Sequence, residues 1–435
     1  MTPIEYTLPG LRIRDHEIAV PLDWTRPEGE TLRIFARELV DATRADEDLP
    51  ILCFLQGGPG GKAPRPRIGG GAPWITEALK THRLILPDQR GTGRSNPILP
   101  QVIGAMSGEE AGRYLAFFRA DSIVCDLEHL RCSLFGARRW QTLGQSYGGF
   151  LTLTYLSRAP EGLAAAYIAG GTPGLSASAE DVYRRTYPRV LAKNEAYLRR
   201  YPDDAALLAR LAERLASEDV RLPDGDRLSV RRLQSIGLEL GMQDGFETIH
   251  WLLDEAFDGQ DRLTDTFLAG AMVATSYHGR QLFAAIHEAI YGQGTGATAW
   301  AAERLRGEFP AFEPTARPCR FTGEMIYPWM FEEIASLRPF RAGALALAAR
   351  TEFPALYDCA LLAANEVPVA AVIYHDDMFV DQGLSLDTAA RVGNFDYWLT
   401  NRYQHDGLRQ DGAVIRRLFR LVAAKGGPRS AGPRG

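Results

Sequence analysis

The chain has 435 residues and a mass of 48.0 kDa, and 46% of it is hydrophobic, enough to bury a substantial core in one large domain carrying an insertion. A net charge of −5, with no basic block, argues against nucleic acid as a partner. No apolar run approaches the roughly 20 residues of a membrane helix, which argues against a membrane.

At the N-terminus, Met1-Thr2-Pro3-Ile4-Glu5 has neither a charged n-region nor an apolar h-region, so no signal peptide is expected. Glu17–Pro21 and Leu32–Ala36 flank a turn at Pro27-Glu28-Gly29, a hairpin signal. Ile51–Leu55 and Leu84–Pro87 are short apolar runs, each ending in a glycine-rich loop, as buried parallel strands do. Asp121–Leu134 is amphipathic and predicts a helix, with Ile123, Val124, Leu127 and Leu130 on one face. Arg139–Leu143 predicts a strand, Phe150–Leu156 a helix ending near Pro160, and Leu163–Ala169 another strand. From about Ala177 to Arg350 the pattern turns helical, clearest at Leu207–Leu215 and Gln281–Ile290. Val367–Tyr374 restores a buried strand, a helix is expected at about Leu384–Arg391, and Tyr397–Thr400 resembles a last strand. The tail from Arg429 to Arg434 is short enough to be a solvated end.

Five cysteines (Cys53, Cys125, Cys132, Cys319, Cys359) include no C-x-x-C pair. They predict free thiols in a reducing cytoplasm, mostly packed as small apolar groups, with Cys125 and Cys132 as core neighbours and no metal-site spacing. Only Lys62, Lys80, Lys193 and Lys425 are lysines, so arginine supplies most of the 49 basic residues, a bias of composition rather than of function.

Between the strand at 139–143 and the helix at 150–156 lies Gly144-Gln145-Ser146-Tyr147-Gly148, read as G-x-S-x-G, the nucleophile elbow of α/β-hydrolases. The nucleophile must sit on a strained turn whose neighbours lack side chains, so that the two backbones can pass closely. The expected fold is therefore an α/β-hydrolase: a mostly parallel central sheet flanked by helices, with a large helical cap. Residues 1–175 and 351–435 would form the core and 176–350 the cap.

A serine hydroxyl needs a base, and the base needs an orienting acid. In this fold the chain order is Ser, then acid, then His. His16, His82 and His129 precede Ser146, His250, His278 and His287 fall in the insertion, and His375 abuts a strand. His405 remains. Asp376, Asp377 and Asp381 compete as the acid, and Asp377, opening a D-x-x-V loop, is preferred. Gly57 and Gly58, with the amide of Tyr147, would supply the oxyanion hole.

Four segments together resemble prolyl aminopeptidase (proline iminopeptidase), a serine peptidase family of this fold. They are Gln56-Gly57-Gly58-Pro59-Gly60-Gly61, Asp88-Gln89-Arg90-Gly91-Thr92-Gly93-Arg94-Ser95, the elbow, and His405-Asp406-Gly407. The length is similar to that of the larger bacterial type. Gln56 departs from the pattern, since many relatives carry histidine there. The resemblance implies release of N-terminal proline from small peptides without a metal or cofactor. It also implies a cap whose glutamates hold the substrate's free amine. Phe321-Thr322-Gly323-Glu324-Met325-Ile326-Tyr327-Pro328-Trp329 resembles the family's Glu-aromatic cap segment, making Glu324 the expected anchor and Glu288 a second candidate. Tyr327 and Trp329, with Phe331, would then pack the pyrrolidine ring. The competing readings are a carboxylesterase or amide hydrolase acting on small neutral substrates, and a non-catalytic binding protein; an intact Ser146, Asp377 and His405 disfavour the last.

Overall fold

The computed structural model describes residues 4–67 and 71–429. Its centre is a nine-stranded sheet: β1 (Ile4–Leu8), β2 (Leu11–Pro21), β3 (Thr31–Asp41), β4 (Ile51–Leu55), β5 (Arg83–Pro87), β6 (Trp140–Gln145), β7 (Leu163–Ala169), β8 (Val369–Tyr374) and β9 (Phe395–Thr400). The order is β1-β2-β3-β5-β4-β6-β7-β8-β9. The first three strands are antiparallel, β3 meets β5 antiparallel, and from β5 to β9 every pairing is parallel. The expected hairpin is present, with longer arms and Pro21 opposite Thr31. β4, β6, β7 and β8 are buried along their whole length, which is why they read as continuous apolar runs.

Helices Ala120–Leu134 and Tyr147–Arg158 cover one face of the sheet, and Pro73–Leu79 and Ala413–Ala424 cover the other. Between β7 and β8 helices joined by loops dominate, beginning with Ala179–Arg200 and Asp204–Ser217, with one short antiparallel pair, Gly294–Thr295 against Glu352–Phe353. The predicted helix at 281–290 stops at Ile286 and tightens into a 3₁₀ turn over Glu288–Tyr291. A hydrophobic cluster runs from this helical layer (Tyr187, Leu240, Phe331) to Leu115, Val20 and Ile34 of the sheet side, so the insertion is packed down onto the core.

The thiols differ from expectation. Cys53 and Cys319 are buried, Cys125 is half-buried, and Cys132 and Cys359 are exposed. Cys125 and Cys132 sit at the flank of the face formed by Ile123, Val124, Leu127 and Leu130, so they are not core neighbours. Arg429 is also not simply solvated: its amide donates to Ala164 O at 2.8 Å and its guanidinium lies 3.4 Å from Glu366. The rest of that tail, and Met1 to Pro3, lie outside the described residues. No described helix is long and apolar enough to cross a membrane.

The segment Asp88–Ser95 ties the site loops to the sheet. Asp88 is fully buried and accepts hydrogen bonds from the amides of Ala63 and Arg94 and from the Arg65 guanidinium. Gln89 Nε2 donates to Gln56 O at 2.7 Å. Arg90, also buried, pairs with Asp126 at 2.5 Å and donates to the carbonyls of Pro21, Leu22 and Phe117. Burial pushes the Asp126 carboxyl above its ordinary range even against Arg90's charge. Arg90→Met should therefore strand that carboxyl. We expect a loss of about 3–5 kcal/mol in urea unfolding at pH 7; a loss below about 1 kcal/mol would contradict a structural role for this pair.

Candidate active site

Ser146 sits between β6 and the helix Tyr147–Arg158 with φ 55° and ψ −124°, a region that non-glycine residues avoid. Neighbours without side chains make the turn possible. A Cβ on Gly148 would stand 1.9 Å from Leu55 O, and one on Gly144 2.2 Å from Gly148 O. The Ser146 amide donates to Ala169 O at 3.0 Å, which pins the turn to β7.

The elbow brings Ser146 Oγ to 2.8 Å from His405 Nε2, and His405 Nδ1 lies 2.7 Å from Asp377 Oδ2. An ionised carboxylate only accepts, so Nδ1 donates to Asp377 and Nε2 is left to accept from the serine hydroxyl. Asp377 is itself held by the D-x-x-V turn: its Oδ1 accepts from the amides of Phe379 and Val380. Its competitors are engaged elsewhere. Asp376 is exposed and pairs with His375. Asp381 caps the helix Gln382–Arg391 through Leu384 N and pairs with Arg189 at 2.6 Å. Burial disfavours the charged His405 ring, but the charge and hydrogen bond of Asp377, with Glu324 behind them, outweigh it and raise its pKa.

Gly57 lies against the nucleophile. A Cβ there would be 2.8 Å from Gln145 O and 2.9 Å from Ser146 Cβ. Gly58 has φ 136°, which only glycine adopts readily. Tyr147 is the first residue of its helix, so its amide has no preceding turn to bond to.

Glu324 is only half-buried, and its carboxylate makes no hydrogen bond or ion pair among the described residues. Burial pushes its pKa up to about 7, with His405 pulling it down and Asp377 pushing it up, so it lies within electrostatic reach of both. Glu288, by contrast, is committed: its two oxygens accept from the amides of Ala301 and Ala302 at 2.9 and 3.0 Å. Tyr327 and Trp329 are buried in the cap interior. The Tyr327 hydroxyl meets Tyr187 at 3.0 Å, Trp329 stacks on Tyr327 under Arg231, and Phe331 packs on Trp300. The aromatic side chains that feel the charge of Glu324 are instead Tyr183, Tyr277 and Tyr291. The groups that act on Glu324 thus come from segments distant from 321–329 in the sequence.

Sequence reasoning also missed the clamp on the histidine loop. His405 N donates to Gly241 O at 3.1 Å, Gln243 N donates to Asp406 Oδ1 at 2.9 Å, and Lys193 donates to Gln404. Phe379 meets the imidazole edge-on at 4.7 Å. His287 is buried beside the backbone of Glu324, and burial pushes its pKa down to about 4. The bonds to Gly241, Gln243 and Lys193 follow from how the cap docks onto the histidine loop.

The chain matches the model of the alpha/beta hydrolase fold over residues 50–213. It is 44% identical to a proline iminopeptidase of Aeromonas sobria, over 97% of this chain and 99% of that one. It is 31% identical to a proline iminopeptidase of Aspergillus aculeatus, over 94% and 93%. A hydrolase of 2-hydroxy-6-oxo-6-phenylhexa-2,4-dienoate from Rhodococcus aligns at a TM-score of 0.44 with 14% identity, covering 94% of this chain and 99% of that one, too distant to carry weight. The fold and its elbow define a hydrolase of the α/β class. Within that class the chain belongs to the proline iminopeptidase family.

The His405 environment generates a measurable sign. A raised pKa means that the ring takes up its proton, on acidification, above the ordinary 6.5 or so. Titration of His405 followed by NMR should show a pKa above that value, falling in Asp377→Asn because burial then faces less opposition. Asp376→Asn should leave it nearly unmoved. An unchanged titration in Asp377→Asn would contradict the coupling.

Proposed function

We propose that the chain is a serine aminopeptidase that releases N-terminal proline from small peptides. The observation that carries this reading is the continuous hydrogen-bonded relay Asp377–His405–Ser146 beside an unpartnered carboxylate, Glu324. The names of the two relatives, each a proline iminopeptidase, support the substrate.

In this reading Ser146 Oγ attacks the carbonyl carbon of the first residue while its proton passes to His405 Nε2. Asp377 stabilises the imidazolium. The developing oxyanion faces the Tyr147 amide and an amide of the Gly57-Gly58 stretch. The C–N bond breaks as His405 returns the proton to the leaving amine, leaving a prolyl ester on Ser146. Water, deprotonated by His405, then attacks the ester; proline leaves and Ser146 regains its proton. Glu324 pairs with the secondary ammonium, and the faces of Tyr183, Tyr277 and Tyr291 take the pyrrolidine ring. Residues 1–175 and 351–435 act as the core and 176–350 as the cap, and the free thiols fit a cytoplasmic setting. The alternative, an esterase for small neutral substrates, has no use for a carboxylate left without a partner and held near neutrality.

The amine should be sensed by charge. A buried ammonium without a counter-ion would cost several kcal/mol. Glu324→Gln should therefore raise KM for proline arylamide by roughly 100-fold, while an uncharged acyl ester is hydrolysed almost as before. Wild-type enzyme should cleave proline arylamide well and its N-acetyl derivative very poorly. Equal losses on amine and ester would assign Glu324 to the fold, and efficient cleavage of the acetylated substrate would remove the aminopeptidase reading.

A further inference from the structure

Directly beyond the oxyanion loop the protein holds a cavity of about 800 Å³, lined in part by Lys62, Arg65, Arg67 and Arg409 and by no acidic residue. Lys62 follows Gly61, so the chain passes from the loop at the nucleophile straight into this wall. The opposite wall is tied to the nucleophile as well: Arg409 Nη2 donates to Gln145 Oε1 at 2.9 Å, and Gln145 is the residue preceding Ser146. Arg65 is neutralised by Asp88 at 2.6 Å. Lys62 and Arg67 are exposed and form no ion pair among the described residues, whereas Arg409, bonded to the Gln145 amide, also feels the carboxylate of Asp406. Two positive charges, Lys62 and Arg67, thus stand unneutralised at a cavity on the core side of the site, while the carboxylate of Glu324 comes from the cap.

This polarity matches the two ends of a short peptide. A substrate with its ammonium at Glu324 has its scissile carbonyl at Ser146 and must run its leaving portion away from the cap. We propose that the cavity is a subsite for the leaving portion that receives a carboxylate, the free C-terminus of a short peptide. Cations that line a water-filled cavity attract an anion over several ångströms and orient it without a tight, desolvated ion pair. A leaving portion of one to three residues reaches at most about 3.3–3.6 Å per residue, so the carboxylate would engage at one particular length. The inference rests on the reading that the chain releases N-terminal proline.

The test is a set of matched pairs: Pro-Gly, Pro-Gly-Gly and Pro-Gly-Gly-Gly, each with a free C-terminal carboxylate and as the amide. At one length the carboxylate form should be favoured roughly tenfold in kcat/KM at low ionic strength, chiefly through KM, and the preference should shrink towards one in 1 M salt, where the Debye length is about 3 Å. In the double variant Lys62→Gln, Arg67→Gln the ratio of carboxylate to amide should fall severalfold. Because the readout is a ratio, any general loss of activity cancels. Arg409 and Arg65 are left intact because they brace Gln145 and Asp88. A ratio near one at every length in the wild type, or an unchanged ratio in the double variant, would overturn the proposal. Proline arylamide separates the two readings: failure to cleave it removes the aminopeptidase reading, whereas cleavage with a ratio of one removes only this subsite.

Discussion

The backbone of Ser146 is the constraint on which the site depends. Residues in such regions cost on the order of 1–3 kcal/mol and persist only where their surroundings over-determine them. Here the determinants are short backbone contacts. Ser146 N is bonded to Ala169 O, Gly149 N returns to Ser146 O at 2.7 Å, and Gly148 passes Leu55 with no room for a side chain. Three parallel strands, β4, β6 and β7, thus converge on one residue. The turn projects Oγ out of the sheet to the one imidazole that can reach it, and an ordinary helical or extended serine would leave His405 without a partner.

Around this turn the two carboxylates have opposite surroundings. Asp377 is filled with donors, two backbone amides and an imidazole, and so is fixed in place. Glu324 has none, and its pKa is pushed up to about 7. A group left in that state is suited to an incoming cation, which would supply the charge that burial lacks. The cap that carries Glu324 also holds the histidine loop through Gly241 and Gln243, so Glu324 and His405, the amine anchor and the base of the proposed reaction, are positioned by the same docking surface.

The parts of this arrangement that are written locally were legible in the sequence. The elbow glycines, the buried strands and the D-x-x-V turn each answer to a short-range steric or hydrogen-bonding demand, and they led to Ser146, Asp377 and His405. The Asp88–Ser95 segment was legible as a pattern, but its work, bracing Gln56 and Ala63 and burying Arg90 against Asp126, emerged only from contacts far apart in the chain. Tyr327 and Trp329, expected beside Glu324, are buried against Tyr187 and Arg231 instead, because proximity in sequence stood in for proximity in space. A helical cap turns successive residues to different faces, and Tyr183, Tyr277 and Tyr291 come from three separate segments. The strand β1 was overlooked because its residues are exposed at the sheet edge and carry no burial signal.

The central claim is that one serine, and a free amine held beside it, define the chemistry. It is tested most directly by labelling with a proline diaryl phosphonate, which carries the free amine and phosphonylates an activated serine, followed by peptide mass spectrometry. The account predicts a single adduct on the peptide containing Ser146, formed at least roughly 100-fold faster than with the N-acetyl analogue. Labelling of another residue, or equal rates for the two reagents, would contradict it.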